Sequence, residues 1–251
     1  MAVAGCSHHT PATRRQVDRA EDPVPDREPG DVRADLIKPI DGSRIISVMG
    51  TDISGFIECR AFHFHEESDS VWRAAIDLFF LNVDKDYDAF GCLFGVRNYA
   101  NFRPLAADRG LPADASETVR AELDRFAHHS TTWITWAELK EVDWDEPAEK
   151  ADSRLHEYRQ TAHGLRLVGK GAWSPRFAQA VGLPEEARGQ AQEWPEGSEW
   201  LIGDTLYRSV RIRRRDAVPE TGGWKPVWTV MEALASRHGD DNVRLVVWFD
   251  D

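Results

Sequence analysis

Between residues 52 and 60 the chain alternates. Ile53, Gly55, Ile57 and Cys59 fall on one side, and Asp52, Ser54, Phe56, Glu58 and Arg60 on the other. A period of two is the signature of a β-strand, whose successive side chains leave opposite faces of a sheet. The pattern predicts a half-buried strand with a mainly polar second face, which Phe62 and Phe64 extend. Arg44 to Val48 is a further strand candidate. The stretch from Trp72 to Phe80 repeats the alternation, with Trp72, Ala74, Ile76 and Leu78 on one face. The run from Leu206 to Arg213 returns to it. Val243 to Phe249 is apolar on both faces and reads as a central closing strand.

Elsewhere the period is helical. Asp86 can cap a helix running to Arg97, with Phe90, Leu93, Phe94 and Arg97 at helical spacing. Gly91 and Gly95 stand four apart in it, and glycine is costly inside a helix, so the pair predicts another backbone packed closely there. Asn98 to Asp114 is a loop rich in Pro, Gly and Arg. Ser116 opens a short helix with Val119, Leu123 and Phe126 inward, and Ser130 to Ile134 is a short strand or turn. Thr135 and Glu138 match a capping box for a helix from Trp136 to Val142. Val227, Val230, Met231 and Leu234 line a last helix, with Pro226 at its start and Gly239 as its stop.

Residues 143–199 are loop-rich, with room for a strand pair between Leu155 and Val168 and a surface loop or insertion over 172–196. Strands and helices mix without a βαβ rhythm. The predicted class is therefore α+β, a mixed, mainly antiparallel sheet with a few packed helices. Residues 1–36, polar and broken by Pro11, Pro23, Pro25 and Pro29, predict a disordered N-terminal extension before a single domain over 37–251.

Composition narrows the function. Among 251 residues, a formal net charge of -12 opposes general nucleic-acid binding and docking on anionic membranes, both of which need clustered Lys and Arg. Ten tryptophans and 41% hydrophobic residues supply a proper core. Cys6, Cys59 and Cys92 are too widely spaced for a disulfide framework or a metal knuckle, which suits a reducing cytoplasm. No apolar run approaches the ~18 residues of a membrane span. Val3-Ala4-Gly5-Cys6 imitates a lipoprotein box, but only Met1 and Ala2 precede it.

The sequence has no P-loop, G-x-G-x-x-G, H-E-x-x-H, G-x-S-x-G or C-x-x-C motif, and no cofactor is predicted. Four groups of residues remain. Asp52, Ser54, Glu58 and Arg60 place two carboxylates beside an arginine on one strand face, a pattern for acid–base work or for an exposed face of cross-strand ion pairs. Arg97, Asn98, Tyr99, Arg103 and Arg109, with Asn101 and Phe102, combine guanidinium forks, amides and aromatics. Such a loop can hold a nucleotide-like anion, or simply tie itself down. His128, His129 and Ser130 offer an imidazole beside a hydroxyl, or a polar loop with capping hydroxyls. Arg208, Arg211, Arg213, Arg214 and Arg215 form a local basic run, read as an anion patch or a charged strand edge. His63 and His65 can share a strand face, but no third metal ligand accompanies them, and no metal site is predicted.

Several segments together resemble an uncharacterised family common in phages and actinobacteria. They are Met49-Gly50-Thr51-Asp52-Ile53-Ser54-Gly55-Phe56-Ile57-Glu58, Asp86 to Phe90, Val96-Arg97-Asn98-Tyr99, Arg103 to Ala106, Arg109-Gly110-Leu111-Pro112, His129-Ser130 with Trp133-Ile134-Thr135, and Val243 to Asp250. The resemblance covers most of 49–143 and the last stretch. The family has no assigned reaction, so it implies kinship and phage-type ancestry alone. Family members often begin near the position of Met49, with Cys and His where this chain has Thr51 and Ser54. That offset makes Met49 an alternative start of translation.

Two functions follow as expectations. One is binding, or hydrolysis, of a nucleotide-like or other anionic small molecule. Arg60, Arg97, Asn98, Tyr99, Arg103 and Arg109 would serve as ligand contacts, and Asp52, Glu58, His129 and Ser130 as catalytic candidates. The other is a non-catalytic module that binds a host protein through an acidic or tryptophan-rich surface.

Overall fold

Period-two runs become strands and period-3.6 runs become helices along most of the chain. The computed structural model describes residues 50–60, 71–81, 85–125, 127–172, 174–184, 187 and 193–251. In chain order the elements are β1 (Asp52–Arg60), β2 (Trp72–Asp77), α1 (Tyr87–Phe94), α2 (Glu117–Leu123), β3 (His129–Thr135), α3 (Trp136–Lys140), β4 (Leu155–Thr161), β5 (Gly164–Gly171), α4 (Pro175–Val181), β6 (Glu199–Ile202), β7 (Thr205–Arg208), α5 (Arg214–Ala217), α6 (Lys225–His238) and β8 (Val243–Asp250). The extension expected over residues 1–36, Arg44 to Val48, Met49, Phe62 to His65, Cys6 and Phe126 lie outside the described residues.

The fold is α+β, with two four-stranded sheets ordered β2-β1-β8-β3 and β5-β4-β7-β6, antiparallel throughout. β8 is central, as its double-faced apolar composition requires, and seven of its eight residues are buried. One face of the first sheet, with Ile57, Leu245, Val247, Phe249 and Ile134, packs on α1 and α6 through Phe90, Phe94, Val227 and Met231. The opposite face carries Phe56, Val246 and Trp248 against Val119 and Leu123 of α2. The second face of β1 is therefore buried and only partly polar. A bulge in β2 between the partners of Ile57 and Glu58 re-aims that strand, so Ala74 packs with the second face while Ile76 and Leu78 join the first. The strand ends at Asp77, whose carboxylate accepts the Phe79 N–H and starts a 3-10 turn over Leu78–Leu81.

Capping fixes the helix boundaries. Asp86 accepts the Ala89 N–H, Ser116 the Val119 N–H and Ser174 the Phe177 N–H. Thr135 and Glu138 close a capping box. Helix α1 stops at Gly95, which is left-handed at φ 80, three residues short of the predicted end at Arg97. Residues 155–171 form the hairpin β4–β5, within the stretch expected to be loop-rich. The second sheet has its own core of Leu155, Phe177 and Tyr207 with Trp194 and Trp200. An ion network ties it to α1: Asp88 takes Arg154 and Lys170, and Arg154 also holds Asp152, which contacts His156 at 3.1 Å.

Candidate functional site

The register of the first sheet brings two distant ends of the chain together. Asp52 pairs with Asp250, so Thr51 and Asp251 meet just beyond that rung. The Thr51 hydroxyl donates to Asp251 Oδ1 at 2.6 Å and accepts from Arg97 Nε at 2.6 Å, and Arg97 Nη2 donates to Asp251 Oδ1 at 3.0 Å. Arg97 reaches this point because the chain turns at φ 51 immediately after α1. From the other side His129 pairs with Phe249 and stacks on its ring at 6.1 Å. Its Nε2 lies 3.5 Å from Asp251 Oδ2 and its Nδ1 3.0 Å from Ser130 Oγ. Ser130 sits at φ 51, in the irregularity between His129 and Thr132. The Thr51 hydroxyl, followed by Arg97, holds the Asp251 carboxyl below the usual carboxylate range.

Of the residues singled out in the sequence, Arg97, His129 and Ser130 thus converge. Thr51 and Asp251 complete the cluster, and no local pattern marks them, because the contact depends on a pairing 200 positions apart. Asp52 leaves the strand on the opposite side and pairs with Lys85 at 2.9 Å.

Glu58 has a different setting. It is fully buried, and both its oxygens are occupied, by the Ser116 N–H at 2.7 Å and Arg244 Nε at 2.7 Å. Arg244 also donates to Asp114 at 2.7 Å and lies 3.9 Å from the centroid of the Trp72 ring. Burial raises the Asp114 carboxyl, but the hydrogen bond and charge of Arg244 outweigh it, leaving that carboxyl below its usual value. Arg60 donates to Asn242 at 2.9 Å and lies over the same indole, 5.1 Å from its centroid.

The arginine-rich loop is held down by its own side chains. Asn98 bonds Phe102 in both directions, donating to its carbonyl at 2.7 Å and accepting its N–H at 3.0 Å. Tyr99 stands beneath Arg154, 5.2 Å from ring centroid to guanidinium. Arg103 pairs with Glu146, and Arg109 forks onto Glu138 at 2.8 and 3.0 Å while covering Trp133. Arg97, Arg103 and Arg109 thus hold three different carboxylates, those of Asp251, Glu146 and Glu138. The basic run near residue 210 is divided too: the strand ends at Arg208, and α5 starts at Arg214. Arg214 turns inward to Glu146 and to the carbonyls of Cys92 and Arg103. Among the described residues no group of three His, Cys, Asp or Glu side chains can hold a metal ion.

A second feature forms where α3, α5 and α6 approach one another. Trp136, Trp144 and Trp228, with Leu139, Val218 and Pro219, line a 610 Å³ cleft edged by Lys140, Arg215 and Glu220. Trp228 stacks on the buried Trp224, 5.3 Å between centroids and 21° between planes. Lys140 is paired with Asp240 at 2.5 Å and Arg215 with Asp145. The sequence offers a signal for part of this wall, since Trp224 and Trp228 stand one helical turn apart, as do Trp136, Leu139 and Lys140. It does not bring the three helices together. Comparisons with protein-family models, curated proteins and solved structures find no match for this chain.

Proposed function

We propose that this protein binds a planar, anionic small molecule of nucleotide-like chemistry in the tryptophan cleft. One observation carries the reading: three half-buried indoles surround 610 Å³ with Lys140 and Arg215 at the edge. A cleft of roughly 300–1,000 Å³, apolar with a few polar groups at its margin, suits a ligand of drug or nucleotide size. Indole faces take up a flat ring system, and the two cations favour a phosphate or carboxylate. Both are exposed and lie in solvent-screened surface ion pairs, so little opposes their turning to a ligand. The arginines expected to gather an anion around Arg97 diverge instead, which moves the ligand site to Arg215. Phage-type ancestry remains part of this reading. So does a reducing cytoplasm, which the free, buried Cys59 and Cys92 suit.

Tryptophan fluorescence titration with a nucleoside and its mono- and diphosphate tests the proposal. The phosphorylated ligands quench saturably, Trp228→Ala weakens binding by about tenfold or more, and Arg215→Ala weakens the phosphorylated ligands while sparing the nucleoside. Wild-type protein that shows no quenching by any of the three at millimolar concentration sinks it.

The rival reading, a module that binds a host protein, has its own observation. Phe79 and Phe80 are 83% and 74% exposed and meet edge to face on the surface. Exposed aromatic pairs are suited to anchoring a partner. A stoichiometric host protein captured by the wild type and lost on Phe79→Asp supports that reading.

A further inference from the structure

We propose that Ser130 is a nucleophile toward small carboxylic esters, activated by His129, with Asp251 as a positioning residue. The geometry is a continuous chain of polar contacts: Ser130 Oγ to His129 Nδ1 at 3.0 Å, and His129 Nε2 to Asp251 Oδ2 at 3.5 Å. A serine hydroxyl needs a base within hydrogen-bond reach, and that base needs a third group to fix its orientation. Here a carboxylate facing Nε2 favours the tautomer protonated there, which leaves the Nδ1 lone pair free for the serine proton. The two ring nitrogens exchange the roles they have in serine proteases, and the chemistry depends only on their connectivity.

Two further features support the assignment. Asp251 is held by Thr51 at 2.6 Å and Arg97 at 3.0 Å, so the carboxylate is fixed by contacts that leave Oδ2 toward the imidazole. The ring is held independently by stacking on Phe249. Ser130 itself adopts φ 51, a left-handed conformation that a serine occupies at a cost. Such outliers cluster at functional sites, where a strained turn exposes a reacting atom. The turn at Ser130 coincides with the register shift between His129 and Thr132, and it sets the hydroxyl beside the imidazole of the preceding residue.

The reaction balances with water as its co-reactant. Ser130 Oγ forms a bond to the ester carbonyl carbon while its proton passes to His129 Nδ1. The bond from that carbon to the alcohol oxygen breaks, and the alcohol leaves with the proton from His129. Water then attacks the acyl carbon and gives a proton to His129. The bond between the acyl carbon and Ser130 Oγ breaks, the carboxylic acid departs, and Oγ takes back the proton held by His129. Asp251 stays ionised throughout and stabilises the imidazolium. Because His129 and Asp251 are each about two-fifths exposed, the site suits short acyl groups reached directly from solvent.

The test is labelling of the full chain with a fluorophosphonate, read by peptide mass mapping. The expected result is one adduct, on Ser130. His129→Ala slows its formation by about 10²–10⁴-fold, and added imidazole restores part of the rate. Asp251→Asn slows it by about tenfold or more, and Asp251→Glu recovers part of that loss. Ser130→Gly, whose backbone suits φ 51, stays folded and takes no label. Wild-type protein unlabelled at Ser130, or labelled equally fast in His129→Ala, overturns the proposal.

Discussion

Arg244 donates from Nε to the Glu58 carboxylate at 2.7 Å inside the first sheet, with both side chains at least 96% buried. Glu58 and Arg244 are direct cross-strand partners on β1 and β8. The guanidinium is covered by the Trp72 ring on one side and tied to Asp114 at its far end. A buried pair of this kind is costly to break, because the surviving charge is left without a partner. Glu58→Ala should lower the unfolding free energy by about 3–5 kcal/mol. Replacing both residues with apolar ones of similar volume should cost far less. Urea unfolding of the wild type and both variants distinguishes the two outcomes, and equal stability of wild type and Glu58→Ala would contradict the assigned role.

A second prediction concerns α1. A Cβ on Gly91 would stand 2.8 Å from the Cα of Asn98 and 2.9 Å from its Oδ1. The backbone cannot yield cheaply there, since Asn98 is clamped to Phe102 from both ends. Gly91→Ala should therefore destabilise the fold by about 1–3 kcal/mol, despite alanine's better helix propensity. A rise in the thermal midpoint of this variant would refute the close approach.

Acid stability should depend on Asp152. Burial pushes its carboxyl up, yet hydrogen bonds from His156 and Arg154 and the Arg154 charge more than reverse that, holding it well below the usual range. A carboxyl depressed by folding contributes stability that is fully present above its unfolded value of about 3.9 and is lost as pH falls toward the folded value. Asp152→Asn should be less stable than wild type near neutrality by about 3–5 kcal/mol, leaving Arg154 with Asp88 alone. The gap between wild type and variant should narrow steadily as pH falls below about 4. A gap independent of pH would show that the carboxylate charge is not what matters.

Much of this architecture is legible in the sequence because it is written in local periods. The alternation of Ile53 to Cys59, the Thr135–Glu138 box and the Pro226 and Gly239 limits of α6 depend only on near neighbours. The glycine pair is half legible. Gly91 marks a close backbone approach, whereas Gly95 serves as the left-handed end of the helix. Glu58 reads as a surface carboxylate because nothing in its own strand reveals that α2 covers that face. Arg214 reads as one of five exposed arginines, and only the folded chain shows Glu146 and two carbonyls waiting for it. The candidate sites are least legible. The three indoles of the cleft come from separate segments, and Asp251 joins His129 only through strand pairing.

That strand pairing also dictates an order of events during synthesis. β8, the last of the described strands, lies between β1 and β3 at the middle of the first sheet, and the Thr51–Asp251 contact spans 200 positions. The second sheet, built from two adjacent hairpins, can close as soon as its own residues emerge from the ribosome. The first sheet cannot: β1 and β3 must wait, unpaired along the edges meant for β8, until translation has reached the end of that strand. The nascent chain thus carries β1 and then β3 without their shared partner until β8 has been made, and the cluster of Thr51, Arg97, His129 and Ser130 gains its carboxylate only with the residue that follows β8.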